Sequence, residues 1–325
     1  MKEWKIASGA LALSLMCAGS AMAQDTGKIV LGTAPNMQTA HIVVATEYGL
    51  FEKAGLKVEP VRFISGQRGL EALLGGQLDM AFMAEYPPVI AAMQNQKFGV
   101  VATMSKYIAN RLVSRSDVGF SSVKDLAGKK IGTTRGSNAD FFTELLLRKA
   151  GVKAEIINVA PADIVPALAR GDIDAGVMFP DFYPKAREAL GVKYREEISK
   201  EYEAYFVVSA SAKMLAERPG DVKKFLSALI KADGIIHNDP AAAKAAIVKA
   251  TEGALNATTV EKAWPEFVYK LGFENGLLDT MVAEAKWVES KGIMKGVTID
   301  KAKLRTFLAD GPMSSIDPGR VNLPK

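Results

Sequence analysis

The sequence predicts an α/β protein of two lobes, each a mostly parallel sheet flanked by helices, with a mainly helical C-terminal tail. Three observations predict it: a strand and helix pattern that occurs twice about 100 residues apart, helices that stop at matching glycines in both copies, and enough apolar chain for two cores. The chain has 325 residues, 49% of them hydrophobic, a length that commonly divides into two domains.

Residues 1–23 read as an export signal. Lys2 and Lys5 flank a charged start, an apolar run follows from Ile6 to Cys17, and Ala21-Met22-Ala23 supplies the small residues of a cleavage site after Ala23. The apolar run is about a dozen residues, too short to span a bilayer core of ~30 Å as a helix. Acylation at Cys17 is the weaker alternative, because Leu15 and bulky Met16 precede the cysteine.

The first copy opens with the apolar run Ile29-Val30-Leu31 and the turn residues Gly32-Thr33-Ala34. The second opens with Lys130-Ile131-Gly132-Thr133-Thr134. A helical stretch then ends at Gly55 in one copy and Gly151 in the other, where a helix C′ residue belongs, and an extended segment follows each. Next come a short glycine-stopped helix and an aspartate, Asp79 or Asp174, before a third strand, Met80-Ala81-Phe82-Met83 or Ala175-Gly176-Val177-Met178. Strand, helix, strand, helix, strand requires a parallel sheet with right-handed crossovers. Val100 to Val113 and Tyr205 to Ser209 read as extended crossings between the lobes. From about Ser211 onward, Val222 to Ile236 and Met281 to Val288 show helical spacing, and Asp239-Pro240 and Gly272 punctuate it. The expected division is 24–108 for the first part of lobe 1, 109–206 for lobe 2 and 207–325 for the return to lobe 1. No low-complexity linker separates the lobes, which favours a hinge.

Composition removes several function classes. Cys17 is the one cysteine, so a chain cut after Ala23 has no disulfide, thiolate metal site or cysteine nucleophile. Only His41 and His237 supply imidazoles; His41 is expected to pack between helices, and no metal or other cofactor is expected. Loss of Lys2, Glu3 and Lys5 lowers the net charge from +5 to +4, and no run of five like charges occurs, so nucleic acid is not an expected partner. Neither a phosphate-binding G-x-x-x-x-G-K-[ST] loop nor a G-x-S-x-G elbow is present.

Four stretches carry a resemblance: Glu47-Tyr48-Gly49-Leu50-Phe51-Glu52-Lys53-Ala54-Gly55-Leu56, the Gly76-Gln77-Leu78-Asp79 turn, Val123 to Gly132, and Gly171-Asp172-Ile173-Asp174-Ala175. Together they resemble the substrate-binding proteins of ABC importers for aliphatic sulfonates, taurine and nitrate, which share a fold with thiamine-pyrimidine binding proteins. The resemblance implies the two-lobed periplasmic binding-protein fold, a monomer in the periplasm, and a small organic anion or zwitterion handed to the importer's membrane subunits. An aminopyrimidine, nitrate or a carboxylate stays open as the ligand. An enzyme on this scaffold, such as the fungal thiamine-pyrimidine synthase, would need a cysteine-rich iron motif that has no counterpart here, so no catalysis is expected. A regulator's effector domain would need a DNA-binding module ahead of the first lobe, where the export signal stands.

Ligands of parallel sheets sit beyond the carboxyl ends of the strands, where helix N-termini point. That rule selects the candidate binding residues. Asn36 and Met37 follow the first strand. Ser65, Gly66 and Gln67 open the first copy's second helix, and Arg135, Gly136, Ser137 and Asn138 open the helix from Asn138 to Lys149; free backbone N–H groups there favour an anion. Ser65 serves equally as a cap, and Ser137 with Asp140 has capping-box spacing. Glu85 with Tyr86, and Phe179 with Asp181, pair an aromatic ring with a carboxylate at the two third-strand exits. Both suit an ammonium or a flat ring, and both also suit the electropositive start of a helix.

Overall fold

A computed structural model describes residues 27–63, 65–294 and 296–324; the export signal expected over 1–23 and its cleavage site lie outside the described residues. In chain order the first copy comprises β1 (Gly27–Gly32), α1 (Ala40–Glu47), α2 (Leu50–Lys53), β2 (Leu56–Val61), α3 (Gly66–Leu74), β3 (Met80–Ala84) and α4 (Tyr86–Met93). Strands β4 (Phe98–Tyr107) and β5 (Arg111–Arg115) lead to the second copy: β6 (Lys130–Thr133), α5 (Asn138–Ala150), β7 (Glu155–Asn158), α6 (Ile164–Arg170), β8 (Ala175–Val177) and α7 (Tyr183–Leu190). After β9 (Tyr194–Ile198) and β10 (Ala204–Ser211) come α8 (Ala212–Glu217), α9 (Pro219–Asn238), α10 (Pro240–Ala250), α11 (Ala257–Ala263), β11 (Phe267–Glu274), α12 (Asn275–Ser290) and β12 (Val321–Asn322).

The repeat is physical. β1 lies parallel between β2 and β3, and β6 lies parallel between β7 and β8. The turn aspartates play matching parts: Asp79 Oδ2 accepts from the Val30 N–H and Asp174 Oδ2 from the Lys130 N–H, both at 2.8 Å. Each ties the approach of a third strand to the middle strand, so these aspartates hold the fold. Gly55 and Gly151 take left-handed φ values of 72° and 67°, the conformation that lets the chain leave a helix and return as a strand.

Two sheets result. One runs β12-β11-β4-β10-β3-β1-β2, the other β7-β6-β8-β5-β9. The chain passes from the first sheet to the second between β4 and β5 and returns between β9 and β10. Asn110 ties these crossings together, its Nδ2 donating to the carbonyls of Tyr107 and Tyr202 at 3.1 and 3.0 Å. Arg111, only 2% exposed, braces the same place: Nη1 lies 3.0 Å from Glu196 of the second sheet, and Nη2 lies 2.6 Å from Glu266, just ahead of β11.

The tail departs from expectation at Gly272, which lies inside β11 and does not punctuate a helix. Phe267, Tyr269, Leu271 and Phe273 alternate toward the core, and period-2 burial is the mark of a strand. β11 pairs antiparallel with β4, with an irregularity between Tyr269 and Gly272. His41 is fully buried between α1 and α9, its Nε2 2.8 Å from Asp233 Oδ1, so the imidazole packs between helices as expected. Among the described residues no helix is long and apolar enough to cross a membrane.

Candidate functional site

Beyond the carboxyl ends of β1, β3, β6 and β8 lies a cavity of about 280 Å³. Its walls come from both sheets. The first contributes the segment after β1, the start of α3 and the end of β3; the second contributes the start of α5 and the segment after β8. Helices α3 and α5 therefore open toward the same space with their electropositive ends.

Eight of the expected residues meet there: Asn36, Ser65, Gly66, Gln67, Ser137, Asn138, Phe179 and Asp181. Asn36 is locked by its own turn, with Oδ1 accepting from the Thr39 N–H at 3.0 Å. Ser65 caps α3 and accepts from the Arg68 N–H. Gly66 is there because a Cβ would stand 2.7 Å from Met83 Cβ, so only glycine lets α3 start this close to β3. Ser137 donates to the Thr134 carbonyl at 2.6 Å and accepts from the Ala139 N–H at 3.2 Å. Asp140 accepts from the Gly136 N–H at 3.1 Å, one residue earlier than a capping box with Ser137 requires.

The other five lie elsewhere. Gly136 stands at the edge, where the α5 loop approaches Gln67 Oε1 of the opposite wall. Met37 is 3% exposed and faces a neighbouring cavity of about 500 Å³ between α7 and α11. Arg135 is turned outward: its backbone N–H donates to Asn158 Oδ1 at 3.0 Å, and its guanidinium donates to the Ile156 carbonyl at 3.1 Å, so it braces β7. Glu85 is fully buried behind the cavity, accepting from Tyr202 Oη and, at 3.0 Å, from the Tyr205 N–H. Tyr86, 1% exposed, packs at 5.8 Å against Trp287 of α12.

The cavity's character comes largely from residues that the sequence did not single out. Phe63, Phe82, Phe182 and Phe206 join Phe179 on its surface, with Phe82 and Phe206 stacked at 5.8 Å. Phe82 occupies the strand position in its copy that Val177 occupies in the other, and this break in the repeat was the available signal. Among the described residues no lysine, arginine or histidine lines the space. Asp181 lines it, together with the neighbouring cavity; burial pushes its carboxyl up to about 6, against the opposing pulls of the Gln38 amide and Lys185. Thr33 Oγ1 and Gln38 Oε1, after β1, are buried at the cavity without a hydrogen-bond partner among the described residues. Buried polar atoms are nearly always satisfied, so these two are poised for a guest.

The arrangement offers hydrogen-bond donors at two helix ends, acceptors at Asp181, Gln38 and Thr33, and apolar faces between them. Residues 36–243 match the NMT1/THI5-like family. A binding protein of Brucella abortus is 30% identical over 204 residues, covering 60% of this chain and 62% of that protein. An aliphatic sulfonates-binding protein of Bacillus subtilis is 27% identical over 201 residues, covering 59% and 60%. The chain thus spans about three fifths of the length of these curated relatives. The alkanesulfonate-binding protein SsuA from Xanthomonas axonopodis pv. citri bound to MOPS superposes with a TM-score of 0.73 at 19% identity, covering 88% of this chain and 99% of that one. The shared architecture is the periplasmic binding-protein fold.

Proposed function

The chain belongs to the NMT1/THI5-like family, and from that premise we propose that it is a non-enzymatic solute-binding protein of the periplasm, exported by residues 1–23. It delivers a small organic anion or zwitterion, of sulfonate or taurine type, to the membrane subunits of an ABC importer. One observation carries this reading: α3 and α5, one from each sheet, present their N-termini to a single cavity. An acidic head between them gains backbone N–H donors and two helix dipoles.

Closure follows from the chain path. The described residues 27–108 and 204–324 are assigned to one lobe and 109–203 to the other, with Ala204–Phe206 moving to the first because β10 pairs there, and the two crossings at Asn110 and Tyr202 form the hinge. A ligand touching both walls stabilises the closed arrangement in proportion to its preference for it. The membrane subunits then recognise the closed form.

A thermal-shift screen of the mature protein against sulfonates, aminosulfonates, nitrate, carboxylates and aminopyrimidines tests the reading. A cognate ligand at a hundred times its dissociation constant adds ~2.7 kcal/mol of stability, and an acidic or zwitterionic compound is expected to do so. Stabilisation by a neutral sugar or a purely cationic solute, with none from any acid, overturns it.

A further inference from the structure

We propose that the solute carries a protonated amine, which docks on the Asp181 carboxylate in the cavity that the α3 and α5 N-termini also line. The inference rests on the solute-binding reading and narrows it to zwitterions. Similarity to sulfonate binders alone points to an anion, whose acid the α3 and α5 N–H groups receive. No cationic side chain stands among the cavity's described walls, and their one charged side chain is an acid.

Asp181 has no salt-bridge partner among the described residues. Its one protein hydrogen bond is long, 3.5 Å from Gln38 Nε2. The adjacent cation, Lys185, instead lies over the Phe182 ring at 5.5 Å. A carboxylate enclosed by protein without a cation is unfavourable, and at this site the missing cation has room to arrive with the ligand. Two further acceptors line the same cavity: Gln38 Oε1, on a residue 3% exposed, and Thr33 Oγ1, on one 8% exposed, both without partners among the described residues. An ammonium carries three N–H donors and no acceptor, which matches one carboxylate and two orphaned oxygens. Phe179 and Phe182 flank Asp181 in sequence and line the cavity with it. Aromatic faces attract a cation and are poor hosts for a second acid.

The test uses matched pairs that differ in the amine alone: taurine against isethionate, and 4-(aminomethyl)benzenesulfonate against 4-methylbenzenesulfonate. Calorimetry with the full mature chain at pH 8 should show the amine member of at least one pair bound about 30-fold tighter or more, the scale of a charge-assisted hydrogen bond. The preference should shrink to about 3-fold at pH 5, one unit below the value of about 6 to which burial raises Asp181. Asp181→Asn should remove the preference without lowering the apo melting temperature, and the pH profile of the unaltered protein decides the matter if that variant fails to fold. Equal or tighter binding of the amine-free member, or a preference that survives Asp181→Asn, overturns the proposal and leaves the solute-binding reading standing. If neither member of either pair binds, both the narrowing and the sulfonate form of the wider reading fall.

Discussion

Gly66 sets the distance between a helix and a strand by lacking one carbon. Gly66→Ala would force its Cβ against Met83 at 2.7 Å, with Met83 Cα at 3.1 Å, and α3 must retreat. We expect a stability loss of about 2 kcal/mol, in the range of overpacked cores, together with weaker ligand binding, because the retreating N–H groups belong to the cavity wall. Chemical denaturation and calorimetry read the two effects separately; an unchanged midpoint would mean that β3 yields instead. Side-chain direction is the level at which the sequence was least legible. Residue type marked Arg135 and Glu85 correctly as polar groups at strand exits, yet a guanidinium long enough to reach the Ile156 carbonyl turns outward, and a carboxylate beside the Tyr205 N–H and Tyr202 Oη turns inward. Those partners lie 21 to 120 positions away in the chain, and local spacing carries no record of them.

At the scale of elements, the repeated strands and glycine-stopped helices were readable because period and punctuation are local properties. β11 was misread for the opposite reason: Gly272 interrupts an alternating run, and only pairing with β4 shows the run to be a strand. The junction of α4 and α12 holds a pair of acids whose behaviour depends on that packing. Glu85 and Glu284 are both fully buried and face one another, with Tyr86, Tyr202, Tyr205 and Asp140 as ionisable groups around them and, among the described residues, no salt bridge to either glutamate. Burial, opposed by the bonds from Tyr202 and Tyr205, pushes Glu85 up to about 7; burial and then the neighbouring Glu85 push Glu284 well above the usual carboxylate range. Raised values mean that the folded protein holds protons the unfolded chain releases. Their contribution to stability is complete below about 4.5 and is lost as pH rises through about 7 and beyond. Melting temperatures measured from pH 5 to 9 should therefore fall more steeply for the unaltered protein than for Glu284→Gln. Parallel curves would show that the pair does not titrate in this window.

For the molecule as a whole, the two crossings concentrate its mechanics in a few side chains. Asn110→Ala removes donors from the Tyr107 and Tyr202 carbonyls at once, leaving buried acceptors unsatisfied, and should lower stability by about 1–3 kcal/mol. A denaturation midpoint within error of the unaltered protein would assign the hinge's stiffness to the Arg111 brace instead. The general plan of two sheets facing one gap was visible in the sequence, because duplication announces itself. The gap's aromatic lining was not, since Phe63 and Phe182 stand where the other copy has Val159 and Pro87, and Phe206 comes from β10, outside the repeat.

The order of strands in the first sheet bears on how the chain acquires its shape. β3 and β4 follow one another in the chain but do not pair; β10, about 100 residues later, is inserted between them, and β11 then pairs along the other edge of β4. The second sheet draws on one uninterrupted stretch, from Arg111 to Ile198. Contacts distant along a chain form slowly because a long loop must first close. Refolding should thus proceed in two waves, with amides of Ile131 and Val177 gaining protection from hydrogen exchange before those of Val208 and Leu271. The half that matures last is the one containing β1, β3 and α3, so the capacity to hold a guest should appear only with the second wave.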